Sequence, residues 1–402
     1  MKLLCLTGLL LLLGCTAEIP PTGMIQRIDA TTVSVDSLDA RIRQLVEAAD
    51  VAGLTVTIVQ PDTVPYRRAF GYAHRSRGDT LRTDHVFYGA SLSKAVFGYL
   101  VADLVEEGTI DLDRPLQEYF DVPIPELAFN REWRGFRDLA DDPRYREITA
   151  RMCLAHTSGL PNWRWISRVG EFAPEGKLRL YTDPGTVYSY SGEGMMLLQH
   201  AIEHVTGRGL EELARERIFD PLRMDMTSYV WQDRFGDAFS YGHLADGSVI
   251  PKDTEDEAGA AGSLETTPED YAVFLQHVLR STAAGSPLTE RLFTPVIRIR
   301  SRMQFGPESL VNTTENDDIQ LSYGLGWGIL QTPYGKGVFK EGHGEGFQHY
   351  SILFPDRGIG VLLMANSDNA ESIFRDLLAL TVGDTYTPWR WENYLPYVTK
   401  GS

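Results

Sequence analysis

Phe87-Tyr88-Gly89-Ala90-Ser91-Leu92-Ser93-Lys94-Ala95-Val96-Phe97-Gly98-Tyr99-Leu100 is the stretch that decides how this chain is read. After Tyr88-Gly89-Ala90 the apolar residues Val96, Phe97, Leu100, Val101, Leu104 and Val105 recur at three- and four-residue steps, which predicts a helix. Ser91 then stands at or just inside the helix N-terminus, and Lys94, three residues on, lies on the same face within side-chain reach. A serine hydroxyl is a weak nucleophile until a neighbour takes its proton. A lysine desolvated in a cleft can do that, because burial disfavours its charged form. The helix N-terminus also favours negative charge developing on the serine oxygen. Ser-x-x-Lys alone is common in exposed helices, so the rest of the chain has to carry the reading.

Outward from this helix, strand patterns lie toward both ends and helical patterns lie between. Val35 to Ala48 is amphipathic, with Leu38, Ile42, Leu45 and Val46 on one side. Leu54–Val59 and Tyr66–Tyr72, separated by Pro61-Asp62, read as a β-hairpin. Helical segments follow at Ala95–Glu107, Ile148–Ala155, Gly194–Thr206, Leu210–Ile218 and Asp270–Leu279. Strand signals return at Tyr323–Gln331, Gly337–Gly342, Gln348–Pro355 and Gly358–Ala365, and a last helix runs from Ala370 to Leu380. The expectation is an α/β (α+β) fold: one antiparallel sheet built from residues 37–88 and 320–385, flanking helices, and an inserted, mainly helical region over 91–300. No repeat at solenoid or propeller periods interrupts this order.

The N-terminus carries Lys2, an apolar run from Leu3 to Leu13, and then Gly14-Cys15, the form of a secretory signal too short to span a bilayer. Leu12-Leu13-Gly14-Cys15 resembles a bacterial lipobox. That implies cleavage after Gly14, lipid on Cys15, and a protein of the bacterial cell envelope held to membrane through the anchor only. The alternative is an ordinary signal cut after Ala17. Residues 15–36 are expected to be a tether, 37–385 the folded domain, and 386–402 a C-terminal tail. With Cys5 and Cys15 so accounted for, Cys153 is alone among Met152, Leu154 and Ala155, a buried structural thiol rather than a nucleophile. The net charge of −17, or −18 once Lys2 departs, argues against nucleic acid as a partner and against electrostatic docking to anionic lipid.

Two further boxes bear on the chemistry. Tyr188-Ser189-Tyr190-Ser191 follows the Pro184-Gly185 turn and enters a helix beginning near Met195. A tyrosine near a cationic lysine has its phenolate favoured and can act as a base. Phe339-Lys340-Glu341-Gly342-His343 ends a strand. There a lysine lining a cleft can polarise a substrate, and the small Gly342 lets a substrate backbone approach. His200 and His204 share a helix face at metal-ligand spacing, but no third ligand is near and no metal or other cofactor is expected. Trp163 and Trp165 are candidates for the cleft wall or the core.

Taken together, the boxes resemble those of the serine β-lactamase and penicillin-binding-protein superfamily, in particular the class C β-lactamase-like branch that also holds esterases and D-amino-acid peptidases. Ser91-Leu92-Ser93-Lys94 matches its Ser-x-x-Lys, Tyr190-Ser191 the start of Tyr-x-Asn, and Lys340-Glu341-Gly342 its Lys-Thr-Gly. Gly108–Pro115, His156-Thr157-Ser158-Gly159-Leu160-Pro161 and Tyr323–Trp327 are further points of likeness, which extends over residues 37–385. The resemblance implies a β-lactamase/transpeptidase-like fold in which Ser91 is acylated, Lys94 and Tyr190 share its proton, and Lys340 orients and polarises. It also implies that the backbone N–H groups of Ser91 and His343 form the oxyanion hole. The product would be a seryl ester that water hydrolyses.

Two positions depart from the pattern. Gly192 replaces the Asn of the second box, which removes a side-chain amide, and Glu193 is a candidate for part of that polar role. Glu341 replaces Thr in the third box; by strand alternation it is expected to point away from Lys340 and Gly342. The expected function is a secreted, lipid-anchored hydrolase of a small ester, amide or peptide that handles simple esters better than penicillins or cephalosporins. On this reading Gly192→Asn raises the cephalosporin-to-ester ratio if the backbone accepts a side chain. The alternatives are a true β-lactamase or D,D-peptidase, or a catalytically idle binding protein for cell-wall peptides. Substrate and oligomeric state are not legible.

Overall fold

The computed structural model describes residues 23–129, 131–254 and 256–397. The signal segment 1–14 and the lipidation candidate Cys15 lie outside the described residues. Among the described residues nine strands form one antiparallel sheet. Its long strands are β1 (Gly53–Val59), β2 (Tyr66–His74), β3 (Gly328–Thr332), β4 (Gly335–Gly344), β5 (Phe347–Phe354) and β6 (Ile359–Ala365). Their order across the sheet is β2-β1-β6-β5-β4-β3, extended beyond β2 by Asp79–Thr80 and beyond β3 by Ser322–Tyr323 and Ile297–Arg298. Strands from the two ends of the chain meet where Val361 of β6 pairs with Ile58 of β1.

Both faces of the sheet are covered, which explains why β1 and β6 read as continuous apolar runs. All seven residues of each are buried. Leu54, Val56 and Ile58 pack with α1 (Val35–Ala48) and the C-terminal helix α5 (Glu371–Thr381). The opposite face packs on α2 (Ser93–Glu106) and α4 (Pro268–Ala283), with the helical region that also contains α3 (Gly192–Thr206).

Several expectations need correction. The stretch taken as a tether is folded from Met24: Met24–Gln26 and Thr32–Ser34 pair, and Ile25, Ile28 and Val33 are buried beneath α1 and α5. Too few residues alternate there for the pattern to be seen. The tail is likewise part of the core through Tyr394, since Trp391 is buried against Tyr188 and Phe339. The helix expected over Leu210–Ile218 is α-helical only to Ala214 and continues as a π turn over Arg215–Phe219. Cys153 is buried and unpaired, and burial pushes its thiol pKa up. No helix among the described residues is long and apolar enough to cross a membrane.

Candidate active site

The site forms where β4 outruns its neighbour. Pairing with β3 stops at Phe339, opposite Gly328, whereas pairing with β5 continues to Gly344. From Lys340 to Gly344, β4 therefore has one open edge, and the turn carrying Ser91 packs beside it. That turn is a 3₁₀ segment, Ala90–Leu92, just ahead of α2. Ala90 has φ 46°, a conformation uncommon for a residue with a Cβ, which bends the chain sharply before Ser91. Ser93 fixes the turn: its hydroxyl donates to Ala90 O (2.5 Å) and accepts from Leu264 N (3.0 Å). Gly342 and Gly344 permit the close approach. A Cβ on the first would stand 2.9 Å from Gly89 O, and one on the second 2.5 Å from Tyr88 Cε1. The missing side chain of Gly342 thus makes room for the Ser91 turn.

The three boxes converge. Lys94 Nζ is 2.9 Å from Ser91 Oγ and donates to Ala261 O (2.5 Å). Lys340 Nζ donates to Tyr190 Oη (2.9 Å) and to Glu341 Oε1 (2.7 Å). Both lysine nitrogens lie 4.9 Å from the centre of the Tyr190 ring. Burial, then the charge of Lys340, hold Lys94 well below its ordinary pKa of 10.5, with Glu341 opposing them. A buried, neutral Lys94 amine can take the proton of the hydroxyl beside it. Burial also lowers Lys340, against the pull of Glu341.

Tyr190 differs from expectation. Burial and the Glu341 carboxylate raise its pKa well above 10.0, outweighing the hydrogen bond with Ser91 that favours the phenolate. The phenol therefore holds its proton at rest, against the phenolate that the neighbouring lysines were expected to favour. Glu341 also differs. Its side chain leaves β4 on the face opposite Lys340, toward Gln304, whose Nε2 donates to Oε1 (3.1 Å). Because the β4 edge is open, the same oxygen reaches round to Lys340, and Glu341 lines the cleft with Ser91. Strand alternation set the starting direction of the side chain but not where its carboxylate ended.

Glu193 is an internal ion-pair partner rather than a substrate contact facing Ser91. Arg164 donates to it through its backbone N (3.0 Å), Nε (3.0 Å) and Nη2 (2.8 Å), and both side chains are about 95% buried. The helix that was expected near Met195 begins at Gly192, because Ser191 caps it: its hydroxyl accepts from Gly194 N (2.9 Å) and donates to Pro161 O (3.1 Å). His343 is exposed, its imidazole 2.9 Å from Glu371 Oε1, and that hydrogen bond raises its pKa.

Four contributors had no role in the sequence reading. His156 stacks on Tyr190 (ring centres 4.1 Å apart), and its Nδ1 accepts from Ser191 N (3.0 Å), so it holds the second box in place. Ala261 O steadies Lys94. Gln304, from a loop, and Glu392, at the end of the short helix Trp389–Glu392, close the cleft around Glu341. Only His156 left a signal, inside its six-residue motif. His200 and His204 pack on Phe120. Trp163 lines a neighbouring cavity of about 950 Å³ with Phe129, Met196 and Phe347, which touches Ala261 beside Lys94; Trp165 packs on Trp133 instead. The cavity holding Ser91, Tyr190 and Glu341 is smaller, about 380 Å³.

The family model described as Beta-lactamase matches residues 38–382, and the chain belongs to that family. It is 24% identical over 366 residues to the D-alanyl-D-alanine-carboxypeptidase/endopeptidase AmpH of Escherichia coli, covering 87% of this chain and 88% of the relative. It is 25% identical over 389 residues to the esterase EstB of Burkholderia gladioli, covering 85% and 94%. In fold it is similar to the octameric penicillin-binding protein homologue from Pyrococcus abyssi, with a TM-score of 0.69 at 20% identity, covering 90% of this chain and 80% of that one. At family level the chain is a serine hydrolase.

Proposed function

We propose that this protein cleaves an ester or amide through an acyl-enzyme on Ser91. The observation that carries the reading is the Lys94 amine 2.9 Å from Ser91 Oγ, buried beneath the Tyr190 ring. In the proposed reaction Lys94 takes the hydroxyl proton as Oγ bonds to the substrate carbonyl carbon. The backbone N–H groups of Ser91 and His343 receive the developing oxyanion. As the bond to the leaving group breaks, the proton passes from Lys94 to that group, with the Tyr190 phenol, held by Lys340, as the bridge. Water then adds to the seryl ester, Lys94 accepting its proton, and Ser91 is restored with release of the acid.

Among substrates, Glu341 favours neutral ones. It balances the charge of Lys340 and brings a carboxylate to the cleft, an unfavourable neighbour for the anionic group of a β-lactam or peptide C-terminus. Simple esters and neutral amides are therefore proposed as better substrates than penicillins or cephalosporins. A β-lactamase or D,D-peptidase is the second reading, supported by likeness to AmpH. An idle binder is disfavoured by the assembled Ser91, Lys94, Tyr190 and Lys340. We further propose export and anchoring through lipid on Cys15, on the strength of Gly14-Cys15 closing the apolar run.

A fluorophosphonate or fluorescent penicillin that stays attached through denaturing electrophoresis supports the acyl-enzyme; no attachment by either, with no turnover of esters, D-amino-acid peptides or cephalosporins, refutes it. Mass spectrometry of the membrane fraction tests the anchor: a lipidated Cys15 supports it, and a free mature N-terminus elsewhere refutes it.

A further inference from the structure

Two cavities flank the Ser91 turn. The smaller holds Tyr190 and Glu341, so in the proposed reaction it takes the leaving group, which Tyr190 helps to protonate. The other substituent of the carbonyl then points away from Tyr190, toward the cavity of about 950 Å³. The near end of that cavity is built from neighbours of the catalytic groups. Tyr88 precedes the Ser91 turn, Gly344 follows His343, and Ala261 holds Lys94 through its carbonyl. From there the cavity follows one face of α3, where Glu193, Met196, His200 and Glu203 line it at three- and four-residue steps. Ten residues of helix rise by about 15 Å, so the space runs far past the reach of an acetyl group.

The walls along this length are largely apolar. Phe129, Trp163, Met196, Val230 and Ile250 are only half-buried, so each keeps apolar surface that a molecule in the cavity can cover. A concave space of this size with aromatic walls is the ordinary form of a small-molecule site. Glu193 is neutralised by Arg164 and adds no free charge at the near end. At the far end stand the carboxylates of Glu203 and Glu211, the first accepting from Leu210 N (3.0 Å), and they make an anionic tail unfavourable. We propose that this cavity receives the acyl half of the substrate, and that the preferred substrates carry a long, uncharged apolar acyl group on the scissile carbonyl. An extended chain of roughly ten carbons spans the helix face. The inference rests on the serine-hydrolase reading and names the acyl half of its substrate.

The test is a series of p-nitrophenyl esters, acetate, butyrate, octanoate and decanoate, assayed below micelle-forming concentrations with wild type and Met196→Trp. Wild-type kcat/KM is expected to rise about two- to four-fold for each methylene covered, and so by more than about tenfold from acetate to octanoate. Met196→Trp sets a larger ring across the cavity one helical turn from Glu193. The octanoate-to-acetate ratio is expected to fall in it by about tenfold or more, as several methylenes lose their cover. A wild-type ratio at or below one overturns the proposal, and so does a ratio that Met196→Trp leaves unchanged, whatever happens to either rate alone. Should Met196→Trp melt below the assay temperature, the smaller Met196→Phe carries the same comparison. Hydrolysis of any ester in the series by wild type, abolished in Ser91→Ala, tests the serine-hydrolase reading separately, so failure of that reading is distinguishable from failure of this one.

Discussion

Removing Glu193 should damage the fold more than it damages any direct contact with substrate. Glu193→Ala strips Arg164 of three hydrogen bonds, two to the guanidinium and one to the backbone N–H. The guanidinium stays buried with only Gly135 O, 2.9 Å from Nη1, to receive it. Breaking one side of a buried pair typically costs about 3–5 kcal/mol, because the remaining charge is uncompensated. An unfolding entropy of about 2.1 cal/mol/K per residue over roughly 370 residues gives about 0.8 kcal/mol/K. The melting temperature is therefore expected to fall by about 4–6 °C, read by differential scanning calorimetry. The double substitution Glu193→Leu with Arg164→Met removes both charges and should recover most of that loss. A melting temperature within 1 °C of wild type, accompanied by a raised KM for an ester, refutes this reasoning and returns Glu193 to the substrate.

Lys94 must be neutral to take the Ser91 proton, so acylation should rise as pH rises through its pKa, at a pH well below the ordinary lysine range. Lys340→Met removes a positive neighbour and should move that rise to higher pH, whereas Glu341→Gln removes the opposing carboxylate and should move it lower; burst-phase kinetics across pH check both signs, and an unmoved limb in both contradicts Lys94 as the base. Gly192→Asn drives a Cβ to 2.6 Å from Asn162 O, so it should destabilise by about 1–3 kcal/mol and fail to raise the cephalosporin-to-ester ratio, the opposite of what the missing side chain alone suggested. Chemical denaturation and paired kcat/KM values decide it, and a stable variant with a raised ratio counts against the geometry. Cys153, fully buried with its thiol pKa raised, should resist alkylation by iodoacetamide until the protein is unfolded; rapid native alkylation seen by mass spectrometry contradicts that burial.

The parts of this molecule legible in its sequence are those with local periodicity. β1 and β6 were visible as apolar runs because both faces are covered, and α2 because its buried stripe begins right after Ser91. The three boxes were legible because each sits at a boundary, a helix start or a strand end, where the residue types carry the chemistry. What escaped was set by contacts far apart in the chain. The short strands Met24–Gln26 and Thr32–Ser34 gain their stability from burial under α5, over three hundred residues away. Glu341 reaches Lys340 along a β4 edge that β3 leaves unpaired, and the raised pKa of Tyr190 comes from burial first and that carboxylate second. Asn162 drew no notice because it fills the space beside Gly192, and a one-dimensional pattern does not record shared volume.

The account turns on Ser91 as the residue that is acylated. Intact-protein and peptide mass spectrometry after treatment with a fluorophosphonate measures this directly. One adduct per chain, mapped to the peptide containing Ser91-Leu92-Ser93-Lys94 and absent from Ser91→Ala, is the expected result. Turnover of a plain ester should fall more than about a hundredfold in the same variant, since loss of a nucleophile usually costs far more than that. An adduct that persists in folded Ser91→Ala, or maps to another residue, contradicts the account.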